Sequence, residues 1–224
     1  MSYQDWSFAV FFTVVFGLYY SFNNVKAQTA LLIVASLFFY AWESPALLGV
    51  FLCSWLITGL TSYWVLVVPR SRAKLIAAAG VITNLALLAF FKYKFLFFTS
   101  SPDPATVPTS LGEWLLMAPL PIGISFYTFH GISLLIDVYR SDENVMAQST
   151  RTATGHLLDT LLYLVFFPAL IAGPIIKAKE FFPQVTLKRI SDIDFGYCSR
   201  VLILGFFLKS VIADNLSATS PRNQ

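Results

Sequence analysis

Apolar runs fill this chain almost from end to end, and their length limits what it can become. They fall at roughly 7–22, 29–42, 45–69, 74–98, 114–136, 156–175 and 195–213. A membrane-spanning helix needs about 20 predominantly apolar residues, and most of these runs approach or exceed that length. Inside them no alternation survives: Ala30-Leu-Leu-Ile-Val-Ala-Ser-Leu-Phe-Phe39 is apolar on both parities. A lipid-facing β-strand would alternate with period two, so the runs read as helices. The expected fold is all-α, a polytopic helical bundle in a lipid bilayer.

Composition agrees. Of 224 residues, 57% are hydrophobic and 12% charged, whereas a water-soluble domain usually carries about 25% charged residues. The surface must therefore face lipid or other helices. The 22 Phe, 10 Tyr and 5 Trp exceed what interfacial belts accommodate, so many must pack between helices. The net charge of +3 reads as topology-setting Lys and Arg, and no basic, aromatic-interleaved surface suggests nucleic acid. Cys53 and Cys198 lie in apolar segments, and no Cys or His pair has ligand spacing, so neither a disulfide nor a metal site is expected. The opening Met1-Ser-Tyr-Gln-Asp-Trp6 lacks a basic stretch and contains Asp5, so the first run is expected to stay as a spanning helix.

Loop charges suggest an orientation. Arg70-Ser-Arg-Ala-Lys74 is the densest basic loop and is expected on the cytoplasmic side. Counting back puts the N-terminus outside; counting forward puts the proline-rich loop 99–110 outside and the 137–156 connection inside. Lys92 and Lys94, either side of Tyr93, are expected to snorkel to an interface. The run Phe166-Phe-Pro-Ala-Leu-Ile-Ala-Gly-Pro-Ile175 then disturbs the count. If 156–175 crossed fully, Lys177, Lys179, Lys188 and Arg189 would all lie outside. Pro168 removes a helix hydrogen bond, and Gly173-Pro174 breaks the helix again. A re-entrant segment returning to the cytoplasmic side satisfies both facts; a proline-kinked spanning helix is the alternative.

Three stretches carry a resemblance: Leu120-Pro-Ile-Gly-Ile-Ser-Phe-Tyr-Thr-Phe-His130 running on to Asp137-Val-Tyr-Arg140, the Phe166–Ile175 segment, and Gly205-Phe-Phe-Leu-Lys-Ser-Val-Ile-Ala-Asp-Asn215. In this order and spacing they resemble the membrane-bound O-acyltransferase family, in its alginate O-acetylase-like branch. Phe38-Phe-Tyr-Ala-Trp42 and Phe90-Phe-Lys-Tyr-Lys94 extend the resemblance over most of the chain. It implies an O-acetyltransferase of the bacterial inner membrane, with acetyl-CoA as cytoplasmic donor substrate and no bound cofactor. The acetyl group would pass to an outer-face acceptor or to a periplasmic acetyltransferase partner, and indirectly to an exopolysaccharide such as alginate or cellulose. The family's essential histidine lies beyond the stretch matched by Gly205–Asn215. The chain is accordingly read as the N-terminal part of such a domain (1–214) with a polar tail (215–224), its catalytic residue expected in a missing C-terminal half.

Single residues leave choices open. His130 lies in an apolar helix beside Tyr127 and Thr128 but does not match the family's catalytic histidine, so it is either a base or a hydrogen-bonded packing residue. Asp137 and Arg140 share a helix face, as an interfacial ion pair or a donor contact. Asp159 stands four residues before Tyr163, where it can bond to it or meet water. His156 opens its segment and is expected at the interface; Arg200 and Lys209 are expected to snorkel. Pro168, Gly173, Pro174, Asp137 and Arg140 are the candidate scaffold for the donor side. Two other functions compete. A transporter or flippase also uses broken helices, but it should show a second broken segment in another half, and none is found. A non-catalytic membrane scaffold is the third.

Overall fold

A computed structural model of the chain describes residues 6–43, 45–97, 118–140, 152–170 and 176–213, with Glu113, Leu115, Gly173 and Asn215. It divides into two units, Met1–Leu187 and Lys188–Gln224. Among the described residues there are helices and no strand.

The first unit holds α1 (Trp6–Ser21), α2 (Val25–Glu43), α3 (Pro45–Val67), α4 (Arg70–Phe97), α5 (Ile124–Tyr139), α6 (Ala153–Val165), α7 (Phe167–Leu170) and α8 (Ala178–Phe181). The spans 25–42, 47–67 and 70–94 are long and apolar enough to cross a membrane, and α1 is a shorter apolar helix. α3 is the hub, packing against α2, α4, α5 and α6. Its start is set by Pro45, placed where a missing N–H costs nothing. The end of α1 is closed from α2: the Gln28 side-chain amide donates to the Tyr19 and Phe22 carbonyls at 3.2 and 3.1 Å.

Small residues let the helices approach, as expected where no water drives association. A β-carbon on Gly59 of α3 would lie 2.6 Å from Leu157 of α6, and one on Gly131 of α5 would lie 3.0 Å from Thr58 of α3. Polar side chains tie the same seams. Asn84 of α4 accepts from Thr58 at 3.2 Å and Ser54 at 3.4 Å and donates to the Gly80 carbonyl at 2.9 Å. Trp55 Nε1 donates to the Leu157 carbonyl at 2.9 Å, and Ser62 Oγ meets His156 Nε2 at 2.7 Å.

Three sequence expectations need correction. The run expected to be one helix over 114–136 is interrupted at 118–123 by Pro119, Pro121 and a left-handed Gly123 (φ 71°), and α5 begins at Ile124. His156 is buried on Ser62 rather than interfacial. Lys94 is buried rather than snorkelling, while Lys92 and Tyr93 are exposed. The run 156–175 divides as its prolines suggest: α6 ends at Val165, Phe166 leaves helical geometry (ψ 100°), and Pro168 falls in the first turn of α7, where its missing N–H is harmless.

In the second unit Asp194 caps α9 (Phe195–Phe207), accepting from the Tyr197 N–H at 2.9 Å. The helix widens into a π-helical segment, Leu208–Ala213, that contains Lys209. Residues 195–213 are long and apolar enough to span a membrane, and all are exposed.

Candidate functional site

The break between α6 and α7 exposes backbone groups in apolar surroundings, where each must find a partner inside the protein. Side chains from other elements supply them. The Phe167 N–H donates to Ser36 Oγ of α2 at 3.2 Å, and the Tyr163 hydroxyl donates to the Ile176 carbonyl at 2.7 Å. The Gly173 N–H returns to the Ala169 carbonyl at 3.0 Å. A β-carbon on Gly173 would stand 2.4 Å from Ala169 Cα, so this turn has no room for a side chain. The Phe167 ring fills the space between α1 and α2, 5.5 Å from Phe11 and 5.8 Å from Phe39.

The other stretches close on the same place. Gly123, just before α5, abuts the Leu170 carbonyl: a β-carbon there would lie 2.9 Å from the oxygen. The Leu120–His130 and Phe166–Ile175 stretches thus meet backbone to backbone. Lys94 of α4 reaches the connection into α5, donating from Nζ to the Leu115 carbonyl at 2.9 Å and to the Ala118 carbonyl. Its ammonium also lies 5.4 Å over the Phe91 ring. Tyr40 of α2 packs on Phe51, which packs on Tyr127 of α5.

From this anchored start, α5 buries Tyr127, His130, Leu134, Asp137 and Val138, at the three- and four-residue spacing of a helix face. His130 Nδ1 faces the Phe126 carbonyl at 2.8 Å. A carbonyl can only accept, so Nδ1 carries the proton and Nε2 is left as an acceptor. The imidazole packs edge-on to Tyr163 at 5.3 Å, and Tyr163 in turn packs on Phe181 and Phe182 at 5.3 and 5.6 Å. At the far end of α5, the Arg70 guanidinium of α4 lies 4.4 Å over the Tyr139 ring and donates to the Tyr139 carbonyl. That satisfies a helix C-terminus with a cation.

Pro168 and Gly173 belong to the broken segment and His130 packs on Tyr163, while Asp137 is buried two turns further along α5 and Arg140 is exposed at its C-cap. Pro174 lies outside the described residues, as do the proline-rich loop 99–110 and residues 141–151. Asp159 is half-buried, and the Tyr163 hydroxyl points at the Ile176 carbonyl instead of back to it. The expectations missed Lys94, Ser36 and the Ser62–His156 pair. Lys94 had a signal: it shares a helix face with Phe91 and Leu87, both apolar. No group of three or more His, Cys, Asp or Glu that could hold a metal occurs among the described residues.

These features define a polytopic α-helical membrane protein organised around a proline-broken segment locked to one helix start. Comparison makes the class specific. The chain is 34% identical over 220 residues to a probable alginate O-acetylase of Pseudomonas aeruginosa, the match covering 93% of this chain and 39% of that protein. The corresponding protein of Pseudomonas syringae is 33% identical over 217 residues, with the same coverage. A peptidoglycan O-acetyltransferase of Helicobacter pylori is 30% identical over 207 residues, 82% of this chain and 38% of that protein. The chain is thus similar to probable alginate O-acetylases along nearly its whole length. It spans about two fifths of the length of the curated relatives it matches. No protein-family model and no solved structure matches it.

Proposed function

We propose that this chain is the donor-side part of a membrane O-acetyltransferase that moves an acetyl group from cytoplasmic acetyl-CoA to the outer face of a bacterial inner membrane. The acceptor there is a periplasmic acetyltransferase partner, and through it the sugar hydroxyls of an exopolysaccharide of the alginate or cellulose type. The Helicobacter pylori relative, a peptidoglycan O-acetyltransferase, favours a wall glycan as a second acceptor with the same hydroxyl chemistry. His130 does not match the catalytic histidine that the resemblance implies, and it is assigned to packing on Tyr163.

One observation carries this reading. Four stretches that bear the resemblance (38–42, 90–94, 120–130 and 166–175) converge on the start of α5, through Tyr40–Phe51–Tyr127, Lys94 and Gly123–Leu170. A re-entrant course for 153–182 belongs to the same proposal. Leu170 lies beside the start of α5, while Ile176, Phe181 and Phe182 are back at Tyr163, level with His130. A segment that enters, turns and returns would screen a reacting acyl group from bulk water.

The test is a chimera. Residues 1–214 replace the matching part of the Pseudomonas aeruginosa relative, in a strain lacking it, and acetyl esters on the exported polymer are measured. Restored acetylation is expected. A chimera that reaches the membrane in normal amount and restores none would overturn the proposal.

A further inference from the structure

The bundle pairs its buried polar atoms with care: Ser62 with His156, Thr58 and Ser54 with Asn84, Tyr163 with the Ile176 carbonyl. Four buried hydroxyls stand outside this pattern, those of Tyr40, Tyr127, Thr128 and Thr160, and the two phenolic ones share a neighbour in Phe51. Tyr40 and Tyr127 are only 4% and 1% exposed, and neither hydroxyl has a hydrogen-bond partner among the described residues. Both rings flank Phe51, each with its centroid 5.2 Å away. The two hydroxyls are near enough to act on one another, and this mutual contact, too loose to meet full hydrogen-bond geometry, leaves each able to take a further partner. A buried donor without a partner carries a desolvation cost that proteins rarely leave uncompensated. Packing alone does not call for the oxygen, since phenylalanine would fill the same space and this chain uses 22 Phe against 10 Tyr. The two tyrosines come from separate stretches, Phe38–Trp42 and Leu120–His130, and their oxygens are brought together by the fold.

We propose that Tyr40 and Tyr127 form a two-hydroxyl cradle for one carbonyl oxygen, that of the acyl group handled at this site. The inference rests on the acyl-transfer reading and names the residues that recognise its cargo. A phenolic hydroxyl is a donor at neutral pH, and a carbonyl oxygen has two lone pairs, so one oxygen satisfies both groups. In dry, apolar surroundings the two bonds are stronger than they would be in water. The free thiol form of the donor has no such oxygen, so the cradle separates acyl-loaded donor from spent donor.

The experiment compares acetyl-CoA with CoA, using the chain in phospholipid nanodiscs and measuring dissociation constants and the ligand-free melting midpoint. Two hydrogen bonds of ordinary strength should make acetyl-CoA bind roughly tenfold more tightly than CoA. In Tyr40→Phe or Tyr127→Phe the ratio should fall to roughly threefold, and in the double variant to about one. The ligand-free midpoint should stay the same or rise in all three, because an unpaired buried hydroxyl has been removed. A double variant that keeps the preference overturns the cradle. So does a lowered ligand-free midpoint, which would mean that the hydroxyls serve the apo fold. If the wild-type chain binds both ligands equally, the cradle fails while the donor reading stands; if it binds neither, the acyl-transfer reading fails with it.

Discussion

The Leu170 carbonyl oxygen lies 2.9 Å from where a β-carbon on Gly123 would stand, so the proline-broken segment rests directly on the start of α5. Gly123 also holds a left-handed backbone, φ 71°, which only glycine adopts without cost. Two penalties therefore fall on one substitution. Gly123→Ala should lower stability by about 1–2 kcal/mol from backbone strain alone, and by more once Leu170 must move. Gly17→Ala and Gly49→Ala meet nothing within 4 Å, and these helical sites should gain up to about 1 kcal/mol. Denaturant titration in micelles measures all three. If Gly123→Ala is as mild as Gly49→Ala, the contact does not hold the site together.

Ser62 and His156 form a buried tether between α3 and α6, 2.7 Å long, in the seam where Gly59 meets Leu157. Interhelical hydrogen bonds in membranes average about 0.6 kcal/mol and reach about 1.7 kcal/mol. Ser62→Ala should fall toward the upper part of that range, because it leaves a histidine nitrogen buried without its hydroxyl. The same titration reads the change. A loss indistinguishable from zero would mean that the Gly59 contact alone sets the seam.

Lys94 and Lys92 are two residues apart and should behave differently. Lys94 is buried and holds the Leu115 and Ala118 carbonyls, whereas Lys92 is exposed. Hydrogen bonds to a charged group contribute about 1.5–3 kcal/mol, so Lys94→Met should cost a large part of that. Surface changes usually stay within about 0.5 kcal/mol, which sets the expectation for Lys92→Met. Amide exchange at 118–124 should quicken in the first variant and not in the second. Equal exchange in both would remove Lys94 as the clamp on the entry to α5.

What the sequence made legible, and what it hid, follows from the range of each interaction. Helices α2, α3 and α4 are local matters of apolar length, and Pro45 and Pro168 mark helix starts where a missing N–H is harmless. The partners of single polar groups are not local. Tyr163 has Asp159 one turn away, yet its hydroxyl goes to Ile176, thirteen residues on, because the broken backbone there has a carbonyl to satisfy. His156 and Lys94 lie near the ends of apolar runs, which reads as interfacial. Ser62, 94 residues from His156, and Leu115, 21 residues from Lys94, give each of them a buried partner instead. The cluster around Gly123 was half visible: its stretches were recognisable, but not that four of them touch.

Topology gives the last test, because the two courses open to 153–182 end on opposite sides of the membrane. An uninterrupted helix would carry residue 176 about 20 Å beyond residue 163. Instead the Ile176 carbonyl accepts from Tyr163 itself, and Phe181 and Phe182 pack on the same ring. At the other end of α5, Arg70 sits over Tyr139, so the basic start of α4 and the end of α5 share one end of the bundle. Cysteine reporters can read this directly once Cys53 and Cys198, both exposed, are replaced by alanine. Arg72 and Lys177 are exposed and suit labelling, whereas neighbouring Ala178 is fully buried and does not. Arg72→Cys and Lys177→Cys should both react with an impermeant maleimide only from the cytoplasmic side, and Pro104→Cys only from outside. Labelling of Lys177→Cys from outside, with Arg72→Cys still cytoplasmic, would make 153–182 a kinked crossing. The Lys177 and Lys179 cluster would then lie on the outer face, against the bias that positive charge imposes on membrane loops.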